Sequence, residues 1–367
     1  MSIAGKSRHR HRCETVKLKK HNIPTSQKMQ RKAYKLTAGN IKNLKEYTED
    51  LPAPQDNEVT VEVHAIGLNF ADVFAIWGLY SATPKGEFVP GLEYSGVIAA
   101  VGKDVTNVKV GDKIMGITRF GGYATHLNID NRYVLPLPND WDFKTGAAYL
   151  VQVLTAYYAL VNLGNIQDNY RILIHSAAGG VGTLANRLAK KMNAYTIGSV
   201  GNPEKIDYCK KEGYDAVIVR GKDFAEKLDA ELKGEKINLI LECIGGEIFQ
   251  IGYDRLAEEG RSVIYGSARY AQVSDKPNRL KLIWQFLTRP KVDPQEMIAT
   301  NKGILGFNLI YLYEKTELMH SLLSEIQGLE IEKPYVGQTF DWAELPDAIR
   351  AFRGGKTIGK VVVEVNH

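Results

Sequence analysis

Cysteine is scarce in this chain, with three residues among 367: Cys13, Cys209 and Cys243. They lie far apart in the sequence, and no Cys-x-x-Cys pair or Cys/His cluster is present. This spacing argues against a disulfide framework and a structural zinc site, and it is typical of proteins in a reducing compartment. We therefore expect a cytoplasmic protein.

Long apolar runs are absent as well. No stretch reaches the roughly 18 consecutive apolar residues of a membrane-spanning helix, so we expect none. Excess positive charge is confined to residues 1–30, which hold eight Lys or Arg and one Glu, while the net charge of the whole chain is +5. The remainder is thus slightly acidic, which argues against a nucleic-acid partner.

Residues 1–30 also lack a periodic apolar pattern, and we expect them to form a disordered basic tail. They contain no apolar segment of the kind found in a secretory signal. Two further interpretations stay open. The segment has the basic, acid-poor composition of a transit peptide, or it is an upstream extension with Met29 as the natural start.

Residues 31–150 have the pattern of short β-strands separated by glycine turns. Val59, Val61 and Val63 alternate with polar residues, as in a half-buried strand. We therefore predict a β domain over 31–150.

Near residue 150 the pattern changes to alternating strands and helices. This alternation predicts an α/β fold with a doubly wound parallel sheet over 151–300. From about residue 301 the chain is expected to leave that sheet, and an apolar strand at 360–365 to return to the first domain, which 301–367 would complete. The expected strands are 171–175, 194–198, 216–219, 237–243 and 261–266.

The motif Ala177-Ala178-Gly179-Gly180-Val181-Gly182 follows the first of these strands and opens a helix. Ala177, Gly179 and Gly182 keep the spacing of the dinucleotide fingerprint G-x-G-x-x-G, with Ala in the first position. Such a turn lets the backbone approach a pyrophosphate, and the helix N-terminus attracts the phosphates. We predict that residues 178–182 bind a dinucleotide.

The second strand of the sheet runs into Gly198-Ser199-Val200-Gly201-Asn202, which contains no acid. A site for NAD usually places Asp or Glu there to bind the ribose hydroxyls. Ser199, Lys205 and Arg220 instead offer donors and positive charge to a 2′-phosphate. The cofactor is therefore predicted to be NADPH, the alternative being that Lys205 and Arg220 are ordinary surface charges.

Several motifs resemble the medium-chain dehydrogenase/reductase family, in particular its zinc-free quinone oxidoreductase (zeta-crystallin-like) branch. They are Gly67–Asp72 (GLNFAD), Gly91–Gly102 (GLEYSGVIAAVG) and Ser176–Lys190 (SAAGGVGTLANRLAK). Leu154–Tyr157 (LTAY) and Leu305–Tyr311 (LGFNLIY) are most similar to the vesicle amine transport group of that branch.

The resemblance implies a GroES-like β domain packed on a Rossmann domain, with the active site in the cleft between them. It also implies that Thr155, Gly266 and Phe307 line the cofactor site and that the protein is a homodimer.

Zinc-dependent relatives carry a Cys and a Gly-His-Glu motif where this chain has Asn69 and Leu92. Leucine cannot bind a metal, so we expect no metal. The substrate should then contain its own electron sink, as a quinone or an α,β-unsaturated carbonyl does. Asn69 and Tyr80 are the predicted donors to the developing oxyanion, and Asp72 is predicted to orient their loop. Each could instead only stabilise a turn, and Asp72 only cap a helix.

Residues 282–287 (LIWQFL) form an apolar segment in the long connection 268–300. We expect a helix buried against the domain interface, with a substrate lid or a membrane-surface contact as alternatives.

These observations predict an NADPH-dependent reductase of quinones or enones. The alternative from another class is a non-catalytic NADPH-binding protein in membrane or lipid handling, with peripheral membrane contact. An enoyl-thioester reductase is a third interpretation.

Overall fold

The structure is a computed structural model that describes residues 29–366. The predicted disordered tail therefore lies outside the described residues, except for its last two. Those two, Met29 and Gln30, begin the first β-strand and pair with Leu51 and Asp50 of the second.

The N-terminal half of the chain is mainly β. One sheet of seven strands contains strands from both ends of the sequence, and a smaller sheet of three strands packs beside it. The strands are β1 (Met29–Thr37), β2 (Lys45–Leu51), β3 (Glu58–Gly67), β4 (Glu87–Phe88), β5 (Glu93–Val101), β6 (Lys113–Ile117), β7 (His126–Asp130) and β8 (Val134–Pro136). Two short helices belong here, α1 (Phe70–Trp77) and α2 (Phe143–Gly146).

A six-stranded, fully parallel sheet follows, as the alternation of strands and helices predicts. Its order is β11-β10-β9-β12-β13-β14, the 3-2-1-4-5-6 order of a dinucleotide-binding fold. The strands are β9 (Arg171–His175), β10 (Tyr195–Val200), β11 (Ala216–Val219), β12 (Ile237–Glu242), β13 (Leu256–Ile264) and β14 (Gly303–Gly306). The helices are α3 (Leu150–Tyr157), α4 (Gly180–Lys191), α5 (Ile206–Lys211), α6 (Phe224–Leu232), α7 (Glu247–Asp254), α8 (Arg279–Leu287) and α9 (Pro294–Thr300).

The chain leaves the parallel sheet later than expected. Gly303–Gly306 forms β14, which pairs with β13 as the edge strand, so the predicted departure at about residue 301 is wrong. The four residues of β14 are bounded by glycines, and so short a strand has almost no periodic signal.

The end of the chain returns to the β sheet, and this prediction is confirmed. After α10 (Thr316–Gln327), β15 (Val336–Asp341) and α11 (Leu345–Arg353), strand β16 (Lys360–Glu364) pairs antiparallel with β3. Gly359 N also donates a hydrogen bond to Ala178 O at 2.7 Å, which ties the start of β16 to the parallel-sheet half.

The helical stretch Phe143–Leu163 is long and apolar enough to cross a membrane, with a mean hydropathy of 1.3 over its best window. However, 67% of that window is buried inside the protein. α3, at its centre, packs on α4 and α10. A helix buried to this extent is typical of a protein core.

The expected burial of segment 282–287 is wrong. Its helix, α8, has one buried residue, Gln285, whereas Leu280, Trp284 and Leu287 are 79%, 63% and 68% exposed. A short segment that is apolar at all but one position gives little indication of which side faces the core. α8 lies in the long connection between β13 and β14, outside both sheets.

Candidate active site

The loop between β9 and α4 is a tight glycine turn. α4 begins at Gly180, and Thr183 N donates the first helical hydrogen bond to Gly179 O at 2.9 Å. The three N–H groups before it therefore point out of the helix end, where partial positive charge favours an anion. A Cβ added to Gly182 would lie 2.5 Å from Ser176 O, so this packing requires glycine.

The turn opens into a cavity of about 1130 Å³ that both halves of the chain line. This volume exceeds the roughly 300–1,000 Å³ of sites for drug-sized ligands. It is therefore large enough for a dinucleotide together with a second small molecule. Predicted site residues on its wall are Asn69, Tyr80, Thr155, Ala178, Gly179, Gly180, Val181, Gly182, Lys205, Arg220, Gly266 and Phe307.

Lys205 and Arg220 lie together on the cavity wall beside Gly201. The ammonium group of Lys205 donates to Gly355 O and Thr357 O, both at 2.7 Å. Burial, followed by the nearby guanidinium of Arg220, lowers the pKa of Lys205. Two close cations at the carboxyl end of the sheet form a site for a group of high negative charge.

Ser199 does not lie on this wall. Its side chain is completely buried, and its Oγ accepts a hydrogen bond from Arg220 NH1 at 2.9 Å. The structure thus places Ser199 behind Arg220, whereas the sequence suggested that it meets the phosphate directly.

The predicted nicotinamide side is formed by the ends of β13, β14 and α3. Thr155 Oγ1 donates its hydroxyl proton to Val151 O at 2.6 Å, so towards a ligand this oxygen can act as an acceptor. Phe307 N donates to Ile264 O at 3.1 Å, and its ring packs on Tyr158. The Cβ that Gly266 lacks would lie 3.1 Å from the Cβ of Cys243, a thiol that also lines the cavity.

Asn69 lies on the cavity wall at the centre of a buried polar cluster, and its partner Gln152 packs against Gly180 of the turn. Asn69 Oδ1 accepts hydrogen bonds from Gln152 Nε2 at 2.8 Å and from Lys360 Nζ at 2.9 Å. Its Nδ2 donates to Gly67 O at 3.1 Å and to Glu93 Oε2 at 3.4 Å. The four partners therefore fix which way the amide faces, and the longer contact to Glu93 is the weakest of them.

Lys360 and Glu93 form an ion pair inside this cluster that the sequence analysis did not predict. Nζ and Oε2 lie 2.6 Å apart, and the two side chains are 2% and 0% exposed. Burial lowers the pKa of Lys360, and the charge of Glu93 opposes that effect. The available signal was Lys360 itself, a charged residue opening the otherwise apolar strand Lys360–Val363.

Asp72 is buried and does not line the cavity. Its Oδ2 accepts hydrogen bonds from Asn69 N at 2.8 Å and from Tyr123 Oη at 3.0 Å. Burial raises the pKa of Asp72 to about 7, against these hydrogen bonds and the charge of Lys360. Asp72 thus caps the start of α1 and orients the loop that carries Asn69.

Tyr80 lines the cavity, and its hydroxyl donates to Asn308 Oδ1 at 2.7 Å. Burial raises the pKa of Tyr80 above its usual value, so it stays protonated at neutral pH. Asn308, just after β14, was not predicted as a site residue, although it lies in the quoted motif Leu305–Tyr311.

Two family profiles match the chain. The Alcohol dehydrogenase GroES-like domain matches residues 55–139, and the Zinc-binding dehydrogenase family matches residues 180–324.

The name of the second family implies zinc, but the residues present do not fit it. Leu92 offers no ligand atom, and the Lys360 ammonium already neutralises Glu93. Within residues 29–366 no group of three or more His, Cys, Asp or Glu could hold a metal ion. A divalent cation beside an ammonium group is electrostatically unfavourable.

Two relatives are the synaptic vesicle membrane protein VAT-1 of Tetronarce californica and the VAT-1 homolog of Danio rerio. The first is 30% identical over 320 residues, covering 86% of this chain and 82% of the relative. The second is 31% identical over 316 residues, covering 85% of this chain and 65% of the relative. The chain thus spans slightly less than two thirds of the zebrafish protein.

Two solved structures share the fold over 92% of this chain. The Escherichia coli quinone oxidoreductase complexed with NADPH has a TM-score of 0.78, 25% identity and 100% coverage of its own chain. The CurK enoyl reductase has a TM-score of 0.79, 27% identity and 99% coverage. With the two domain profiles and the VAT-1 relatives, they show that this chain belongs to the medium-chain dehydrogenase/reductase family of oxidoreductases, close to the VAT-1 proteins.

Proposed function

We propose that this protein is an NADPH-dependent reductase that transfers hydride to a quinone or an α,β-unsaturated carbonyl without a metal. One observation carries the proposal. A single cavity is lined by a glycine turn, a cationic pair and a buried polar cluster. This is the arrangement that a dinucleotide and a second, reducible ligand require.

The preference for NADPH follows from the charges around Gly201. The end of β10 and the following residues to Asn202 contain no carboxylate, whereas Lys205 and Arg220 line the cavity there. A 2′-phosphate gains charge-assisted hydrogen bonds from such cations, and a ribose hydroxyl gains much less. The related Escherichia coli structure was solved with NADPH.

When bound, the cofactor supplies the hydride, and the chain has to orient the acceptor and stabilise the negative charge that develops on its oxygen. Tyr80 offers its hydroxyl, which turns from Asn308 to the acceptor oxygen. Asn69 offers the N–H whose 3.4 Å contact to Glu93 is weakest. Lys360, also on the cavity wall, adds positive charge.

The rest of the acceptor site is apolar, which excludes water and favours an uncharged ring or enone. Its wall includes Phe70, Phe74, Leu79, Ile117, Leu309 and Met319.

The test is NADPH consumption against a panel of quinones, enones and enoyl thioesters, together with cofactor affinities of a Lys205→Ala, Arg220→Ala double variant. We expect turnover with quinones or enones, and a loss of NADPH affinity much larger than the loss of NADH affinity. Lys210→Ala, an exposed lysine of α5, is the matched control. Equal losses for both cofactors would contradict the NADPH assignment, and absence of turnover with every member of the panel would contradict the acceptor class.

The exposure of α8 favours a second candidate function, binding to lipid surfaces. Trp284 and Leu287 are 63% and 68% exposed on a short helix, and residues 276–292 contain five Lys or Arg and no acid. Exposed aromatic and aliphatic residues with basic neighbours suit an anionic bilayer surface. Leu282 and Phe286 of the same helix line the cavity, so this face continues into the proposed acceptor site.

Cosedimentation with vesicles of phosphatidylcholine and phosphatidylserine tests the second candidate. A Trp284→Gln, Leu287→Gln variant should lose binding, while Val110→Gln, at a residue 59% exposed in a loop of the β half, should keep it. No binding by the unaltered protein would contradict this function and leave the reductase proposal standing.

The predicted domains, 31–150 and 151–300 with 301–367 completing the first, stay proposals except at residues 303–306, which β14 assigns to the parallel sheet. A homodimer and a cytoplasmic location are proposals as well. The mass of the protein in solution, measured by light scattering, tests the dimer: a mass near 41 kDa would contradict it.

A further inference from the structure

Three polar side chains are buried next to one another beneath the cationic pair. His175 ends β9, Ser199 lies near the end of β10, and Glu242 ends β12. These strands are neighbours in the sheet order, and His175 pairs directly with Ser199. None of the three is more than 1% exposed, so none can meet a ligand itself.

They form a chain of contacts from one strand to the next. His175 Nδ1 lies 2.6 Å from Ser199 Oγ, within hydrogen-bond distance. On the other side of the ring, Nε2 lies 3.2 Å from Glu242 Oε2, close enough for an ion pair although not aligned as a hydrogen bond.

Glu242 is held firmly at the far end. Its Oε1 accepts hydrogen bonds from Ile244 N at 2.5 Å and Gly245 N at 2.7 Å. Burial raises the pKa of this carboxyl, but His175 and the two backbone N–H groups outweigh it, and the net shift is downward. The carboxylate and the serine hydroxyl thus hold the imidazole from its two nitrogens.

The near end of the chain is Arg220. Whether Ser199 Oγ donates to His175 Nδ1 or accepts from it, the oxygen keeps a lone pair for Arg220 NH1, which donates to it at 2.9 Å. The same NH1 also donates to Ser199 O at 2.9 Å. Polar contacts in a buried network polarise one another and hold the outermost member in place.

The other nitrogens of Arg220 remain available to a ligand. Within residues 29–366, its Nε and NH2 donate no hydrogen bond, and the residue lines the cavity beside Gly201. A guanidinium held through NH1 and open at NH2 presents a fixed donor to an anion.

We propose that Ser199, His175 and Glu242 form a buried relay that positions Arg220 for the 2′-phosphate, and so set the cofactor preference. The inference rests on the proposed NADPH function. The three are positioning residues, since they act only through Arg220.

The experiment compares dissociation constants for NADPH and NADH in the unaltered protein and in Ser199→Ala, with and without Arg220→Ala. Ser199→Ala should weaken NADPH binding roughly two- to tenfold, the scale of one hydrogen bond, and leave NADH binding unchanged. In the Arg220→Ala background, Ser199→Ala should not weaken NADPH binding further, because the guanidinium that Ser199 positions is absent. Ser199→Thr, which keeps the hydroxyl, should restore most of the NADPH affinity.

Ser262→Ala is the matched control, because Ser262 is a fully buried serine of β13 in the same sheet whose hydroxyl has no partner within residues 29–366. It should leave both affinities unchanged. Equal loss of both cofactors in Ser199→Ala, or the same loss without Arg220, would overturn the relay. If the unaltered protein does not bind NADPH more tightly than NADH, the proposed cofactor is wrong. The relay proposal, which rests on that cofactor, is then wrong as well.

Discussion

Lys360 brings a positive charge into the interior, and its place in the cluster shows how strongly single residues are coupled here. Removing it would leave the buried carboxylate of Glu93 unpaired, a change that typically costs about 3–5 kcal/mol. Loss of activity in such a variant would therefore say little about chemistry. Residues that can be altered without leaving an unpaired buried charge are better tests.

Tyr80 is one of these. Tyr80→Phe keeps the ring and removes only the hydroxyl that donates to Asn308. We expect turnover to fall roughly ten- to hundredfold, less than the loss of a principal oxyanion donor, with NADPH affinity unchanged. Steady-state kinetics with a good quinone substrate measure this.

Tyr47→Phe on β2, 46% exposed, is the control and should keep full turnover. Unchanged turnover in Tyr80→Phe would remove Tyr80 from the proposed site.

Asp72 gives a prediction for stability against pH. Its folded pKa of about 7 lies above the ordinary value of 3.8, so between these limits the folded state holds a proton that the unfolded state has lost. This contribution to the free energy of unfolding is complete below about pH 4, falls as the pH rises, and is lost above about pH 7. It amounts to at most about 4 kcal/mol.

Asp72→Asn keeps an oxygen for Asn69 N and Tyr123 and cannot titrate. Denaturant unfolding from pH 4 to 8 should give a flatter profile for the variant. Parallel profiles for the two proteins would contradict the raised pKa.

At the scale of elements, the sequence predicted those strands and turns that have a periodic apolar pattern or a recognisable motif. The glycine turn, the strands at 171–175 and 216–219 and the return of β16 follow from such patterns. β14 was missed because four residues hold no period. α8 was misjudged because hydrophobicity alone does not say which neighbour covers a helix. The ion pair of Lys360 and Glu93 joins residues 267 apart, which no local pattern records.

Gly182→Ala tests the turn. The added Cβ would lie 2.5 Å from Ser176 O and 2.8 Å from the backbone of Ala177, so the turn must open. We expect weaker NADPH binding and a loss of about 1–3 kcal/mol in stability. Isothermal calorimetry and thermal unfolding measure the two effects.

Gly328→Ala, where the added Cβ would come no nearer than 3.4 Å to the atoms around it, should change neither quantity. Retained NADPH affinity in Gly182→Ala would show that the turn does not hold the phosphates.

For the whole molecule, the polar cluster predicts activity that does not depend on metal. The Lys360 ammonium pairs with Glu93, the residue after Leu92, and Leu92 offers no ligand atom to a metal. Exhaustive dialysis against a chelator should therefore leave turnover unchanged, while a zinc-dependent alcohol dehydrogenase treated alongside loses it. Stoichiometric zinc that is needed for turnover would refute the prediction.

The hydrogen bond from Gly359 N to Ala178 O joins the polar cluster to the glycine turn, since Gly359 precedes Lys360 and Ala178 precedes Gly179. A ligand that displaces the turn therefore also displaces β16, the strand that carries the ammonium group of Lys360. Thermodynamic linkage makes such coupling reciprocal: whatever factor the cofactor adds to acceptor affinity, the acceptor adds to cofactor affinity. The strength of this coupling would then depend on one peptide N–H.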